Sequence, residues 1–115
     1  MSDWEVRPLL PADAPWVAGM TREYWGSEMV VAHGAVFYPA QLPGYVAERA
    51  GAPQGWLTYH QSGEACEIVT LASLQEGQGV ASALIEAVRE GARAAGCRRL
   101  WLITTNDNTH ALRFY

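Results

Sequence analysis

A chain of 115 residues that is half hydrophobic and 17% charged suits one soluble domain with a sizeable core. Twelve acidic against eight basic side chains give a net charge of −4, which excludes the basic footprint of a nucleic-acid binder and mildly favours an amine ligand. No apolar run approaches the roughly 20 residues of a membrane helix, and Met1-Ser2-Asp3-Trp4 lacks a basic-then-apolar leader, so no membrane partner and a cytoplasmic location are expected.

Residues 5–9 alternate and read as a first strand ending at Pro8. Asp13 is placed to cap a helix running to about Tyr24, with Trp16, Val17, Met20 and Tyr24 on one stripe and Trp25-Gly26 as the stop. Residues 29–31 extend briefly, residues 33–39 carry no period, and residues 39–43 read as a turn or a single helical turn. Two strands, residues 45–49 and 55–59, flank Gly51-Ala52-Pro53-Gln54 as a hairpin. Ser62-Gly63-Glu64 turns the chain into a further strand over residues 66–71.

The next helix is marked by Val80, Leu84, Val88 and Ala92 at i, i+4 spacing, with Glu86, Arg89, Glu90 and Arg93 opposite and Gly96 as C-cap. Residues 98–105 read as a strand, and Asn106-Asp107-Asn108 as the start of a last helix. Cys66 and Cys97 read as reduced thiols. No cluster of His, Cys and carboxylate has metal-ligand spacing, so no metal is expected.

Between the strand and the periodic helix lies Glu76-Gly77-Gln78-Gly79-Val80-Ala81-Ser82. Glycines there let backbone N–H groups close on an anion at a helix N-terminus, which points to a phosphate or pyrophosphate ligand. A triphosphate loop needs Lys followed by Ser or Thr, where this chain has Val80-Ala81. A dinucleotide fold needs a third glycine, where Ser82 stands, and an acid that residues 99–105 lack. Coenzyme A is the remaining candidate, with a nucleotide-binding regulator kept as a distant reading.

Residues 76–84, Glu76-Gly77-Gln78-Gly79-Val80-Ala81-Ser82-Ala83-Leu84, resemble the acyl-CoA pyrophosphate loop of GNAT-type N-acetyltransferases, Q/R-x-x-G-x-G/A. Asn108-Thr109-His110-Ala111-Leu112-Arg113-Phe114-Tyr115 resembles their N-x-x-A-x-x-F-Y element. The resemblance runs from about Ala50 to Tyr115 and departs at Glu76, where Gln or Arg is usual; the subgroup with an E-G-x-G loop and a T-T-N-D-N segment looks closest.

This resemblance implies an α/β fold, a GNAT-like mixed and mostly antiparallel sheet flanked by helices, truncated at its C-terminus. It implies acetyl-CoA as co-substrate, held where the strands at residues 66–71 and 99–105 diverge. Backbone groups of Gly77, Gln78, Gly79, Val80, Ala81 and Ser82 would meet the pyrophosphate. Leu71, Ser73 and Leu74 would meet the pantetheine arm, and Asn108 would lie near it while capping its helix. Tyr115 matches the tyrosine that protonates the leaving thiolate, a role its ordinary pKa of about 10 suits; packing beside Phe114 is the plainer alternative.

Glu67 interrupts an apolar strand, and some family members carry a base for the amine proton there; the plainer reading is a glutamate facing water near the Gly63 turn. The acceptor is expected to be a small-molecule or peptide amine, its wall built from residues 26–44 with Trp25, His33, Phe37 and Tyr38 as candidates. His60 reads as a strand-end residue and His110 as a solvated one. Family domains continue past F-Y into further strands, so either a fragment or a homo-oligomer completing the sheet in trans is expected. A non-catalytic acyl-CoA-binding module for sensing or assembly is the alternative function.

Overall fold

Continuous burial along the long strands requires cover on both sheet faces, and the computed structural model, which describes residues 5–32, 34–74 and 79–102, has that layout. In chain order it holds β1 (Glu5–Pro8), α1 (Ala14–Trp25), β2 (Val30–Ala32), β3 (Ala35–Phe37), β4 (Gly44–Arg49), β5 (Ala52–Ser62), β6 (Ala65–Ser73), α2 (Val80–Ala94) and β7 (Arg99–Leu102). Short 3-10 turns occupy Pro11–Asp13 and Pro39–Gln41. The main sheet has the order β1-β4-β5-β6-β7, antiparallel except for the parallel pair β6–β7, while β2 and β3 form a separate hairpin. This is the expected mixed, mostly antiparallel α/β architecture. Among the described residues no helix is long and apolar enough to cross a membrane.

On one face Leu57, Cys66, Ile68 and Leu71 meet Val80, Leu84, Ile85 and Val88 of α2. The other face presents Trp56 and Ala72 to Val17 of α1, with Trp16, Met20, Tyr24 and Trp25 around them. Trp16 and Trp25 set their rings edge-on to the buried Trp56, at centroid distances of 6.1 and 5.8 Å, the arrangement that aromatic quadrupoles favour. Both helical stripes therefore fall where the periodicity puts them. Gly96 ends α2 as expected: at φ 85° its N–H donates to Arg93 O, and the N–H of Cys97 reaches back to Ala92 O at 2.9 Å.

Asp13 departs from its expected role. Its side chain caps no amide of α1; one carboxylate oxygen accepts from the Leu10 N–H at 2.7 Å and both face the Arg7 guanidinium, at 2.9 and 3.0 Å. Arg7 also bonds Glu48 across the β1–β4 pair at 2.9 Å, so a long-range ion pair outcompetes the local cap. The Arg7 bond, with the Leu10 amide second, lowers the Asp13 carboxyl from its ordinary 3.8 to about 2. Folding lowers this pKa, so the contribution is present above about pH 4 and fades as pH falls toward 2. With Asp13 and Arg7 side chains 20% and 34% exposed, solvent screening discounts it. Asp13→Asn is expected to cost about 1 kcal/mol at neutral pH and much less near pH 2, read from urea midpoints at the two values.

The β4–β5 turn is tighter than the sequence suggests. Ala50 and Gly51 alone make it, both at positive φ (52° and 81°), and residues 52–54 already belong to β5. Such two-residue turns match strand twist but strain a residue with a Cβ at their first position. Ala50→Asn is expected to raise stability by about 0.5–1 kcal/mol, seen as a higher thermal midpoint with unchanged far-UV spectrum. A second departure is the β2–β3 hairpin, which occupies a stretch without readable period. Val30 packs on Val69, with Phe37, Leu42 and Trp25 beside them, so tertiary contact rather than local pattern holds it.

Candidate active site

Leu71, Ser73 and Glu67 among the expected site residues lie on β6, the strand at which the sheet changes from antiparallel to parallel pairing. Its ladder with β7 runs Ala65–Arg99, Cys66–Leu100, Glu67–Trp101 and Ile68–Leu102. The described part of this ladder ends at Ile68 and Leu102. On the β5 side the register slips, since Thr58 faces Thr70 but Tyr59 faces Ile68, leaving Val69 as the extra residue of a bulge. A bulge disrupts the ladder and re-aims the backbone locally, here immediately after Ile68.

Leu71 is 1% exposed with its side chain in the α2 core, so toward a ligand it can offer only its backbone. Ser73 is partly exposed, and the chain leaves β6 pinned to β5 by the Leu74 N–H donating to Gln54 O at 2.8 Å. Gly79 precedes α2 at φ 78°, and no side chain caps the helix there. The first intrahelical bond is Ala83 N–H to Gly79 O, so the amides of Val80, Ala81 and Ser82 have no partner within the helix. No acidic side chain stands in this first turn, at the positive end of the helix dipole.

Val80 and Ala81 are buried against the sheet. That depth depends on Gly55, where a Cβ would fall 2.6 Å from Val80 Cγ1 and 2.8 Å from Ala72 O. The structure thus brings Leu71, Ser73, Leu74, Gly79, Val80, Ala81 and Ser82 into one strand–helix unit. Gly77, Gln78, Asn108 and Tyr115 lie outside the described residues, as do Glu76 and His33.

Glu67 does not sit on the sheet's edge. It lies between β5 and β7, on the face opposite α2, with its side chain 25% exposed. Its cross-strand neighbour is His60, whose Nδ1 is 3.6 Å from Glu67 Oε2. The imidazole packs against Phe37 of β3 at a centroid distance of 5.3 Å. On the other side the registered neighbour is Trp101, 47% exposed. Deeper along the same face the hydroxyls of Thr58 and Thr70 hydrogen-bond to each other in full burial.

Cys66 beside Glu67 is no nucleophile. Burial, with Cys97 and Glu67 adding to it, pushes its thiol up to about 11, so it stays protonated at neutral pH.

His60 is the residue that sequence reasoning passed over, although a signal was present. Residues 60 and 67 stand equally far from the two-residue turn Gly63-Glu64, and an antiparallel hairpin must pair them.

The family model described as the acetyltransferase (GNAT) family matches residues 5–115. YdhI, an uncharacterized protein of Bacillus subtilis (strain 168), is 38% identical over 94 residues, which cover 81% of this chain and 59% of YdhI. The chain therefore spans less than two thirds of that relative. The fold matches that of a ribosomal-protein-alanine N-acetyltransferase from Brucella melitensis biovar Abortus 2308, with a TM-score of 0.76 at 17% identity over 97% of this chain and 87% of that one. It also matches aminoglycoside N-acetyltransferase AAC(6')-Iy in complex with CoA, with a TM-score of 0.72 at 18% identity over 98% and 84% of the two chains. A sequence match over nearly the whole chain and a mixed, mostly antiparallel sheet packed on α2 lead to the same conclusion: the chain belongs to the GNAT family of acetyltransferases.

Proposed function

We propose that this chain moves an acetyl group from acetyl-CoA to a primary amine by direct attack in a ternary complex. The observation that carries this reading is the N-terminus of α2, entered through Gly79 at positive φ with the amides of Val80 to Ser82 lacking intrahelical partners, packed on the same strand β6 that carries a carboxylate at Glu67 on its other face. An extended pantetheine arm would run along the backbone of β6 and its exit, at Leu71 to Leu74. The pyrophosphate then meets the amides of Gly77 to Ser82 and, as the chain turns, the free end of α2.

The acceptor arrives as an ammonium ion. Glu67 draws the cation, the exposed face of Trp101 adds cation–π attraction, and the carboxylate takes one proton. The free amine attacks the thioester carbon, the C–N bond forms and the C–S bond breaks. Tyr115 gives the thiolate its proton, which the second proton lost from the nitrogen replaces. Much of the rate gain comes from holding the two reactants together. The two enzymes that share the fold act, by their names, on a ribosomal-protein alanine and on aminoglycosides, both of which present amines.

Calorimetry with acetyl-CoA, ATP and NAD, followed by mass spectrometry of an amine panel, tests the reading. Selective acetyl-CoA binding with an acetylated amine supports it. Selective binding without transfer to any amine, and indifference to Tyr115→Phe in thioester turnover, would leave a binding module instead.

A further inference from the structure

The mechanism above leaves one polar group unused. His60 Nδ1 is enclosed by protein and has no hydrogen-bond partner among the described residues, although the side chain as a whole is 43% exposed. A buried nitrogen without a partner is destabilising, so its nearest acceptor matters. That acceptor is Glu67 Oε2 at 3.6 Å, just outside hydrogen-bond reach. Three constraints hold the ring there: the β5–β6 register, which makes His60 and Glu67 direct neighbours; the Phe37 ring against the imidazole; and the packing of Phe37 near Val30 and Val69. A rotation of either side chain by a few tenths of an ångström closes the contact, as catalytic hydrogen bonds do when a ligand arrives.

We propose that His60 is a positioning residue that acts through Glu67. Its Nδ1–H donates to Oε2 and fixes the carboxylate, so that Oε1 is presented to the acceptor ammonium. Phe37 keeps the imidazole in place from the hairpin side, which links the β2–β3 hairpin to the acceptor site. The inference rests on the acetyl-transfer reading. It goes beyond it by assigning orientation of the base to a residue that touches neither substrate.

The test compares wild type with His60→Leu and His60→Gln, using the amine that wild type acetylates best. Leucine removes the donor, whereas the glutamine amide can restore an N–H toward Glu67. Expected is a drop in kcat of about tenfold for the leucine variant, with KM for acetyl-CoA unchanged, and recovery of most of that loss by glutamine. Thermal midpoints of the two variants show whether folding accounts for the difference. Long-range proton–nitrogen NMR of the neutral ring should place the proton on Nδ1. Equal kcat in all three proteins, equal losses in both variants, or a proton on Nε2 would overturn the role of His60 and leave acetyl transfer standing. Wild type that acetylates no amine would overturn both.

Discussion

Glu67→Gln is expected to lower kcat for amine acetylation about 100-fold, the lower range of what a positioned general base contributes. KM for acetyl-CoA and the thermal midpoint should remain near wild type. The reason is geometric: the amides proposed to meet the pyrophosphate lie at the start of α2, on the far side of the bulge at Val69 from Glu67. Glutamine keeps the shape of the side chain and can still accept from His60, so the substitution removes proton acceptance and negative charge alone. The deficit should also shrink as pH rises. An unperturbed alkyl amine deprotonates near pH 10, and a free amine needs no base for the first proton. A series of kcat values from neutral to alkaline pH checks this directly. A deficit confined to KM for the amine would assign Glu67 to binding the acceptor cation, and an unchanged kcat and KM would leave it a solvated glutamate.

Much of this arrangement is legible in the sequence because local and long-range forces agree there. The α2 stripe, its Gly96 stop and the Gly63-Glu64 turn each follow from one dominant period or one special backbone angle. Where forces compete, the reading fails. Asp13 has the chemistry of an N-cap, yet Arg7 and the Leu10 amide take its carboxylate. Residues 30–37 are too short for a period, and their hairpin depends on Val69 and His60, which are far away in sequence.

The bulge hides for a different reason. Both faces of β6 are buried, so hydrophobicity does not alternate along it. Only the spacing of the residues packed with α2, Cys66 then Ile68 then Leu71, records the extra residue. The half of the site proposed to bind the anion rests on glycines and helix phase, which are local features of the sequence. The half proposed to meet the acceptor is assembled from β3, β5, β6 and β7 by register and ring contact, which is not local.

These halves share a structural dependency at Gly55, and Gly55→Ala is expected to damage both stability and acetyl-CoA binding. In a strand alanine would ordinarily be no worse than glycine, since it loses less backbone freedom on folding. Here the added methyl would sit 2.6 Å from Val80 Cγ1 and 2.8 Å from Ala72 O. The valine can rotate away, but the carbonyl belongs to β6 and cannot move without disturbing the strand. Overpacking of this kind costs about 1–3 kcal/mol. The displacement falls on the first residue of α2 and on the β6 segment before the loop, so the amides of Val80 to Ser82 shift from the pyrophosphate. Urea denaturation should show the stability loss, and calorimetry a weaker acetyl-CoA affinity at a temperature where the variant is fully folded. Adding Val80→Ala removes the side-chain clash but leaves the clash with the carbonyl, so the double variant should regain only part of the affinity. Full recovery would place the constraint in the valine alone. A stability loss with unaltered affinity would mean that α2 can lift from the sheet without carrying its N-terminal amides away from the ligand.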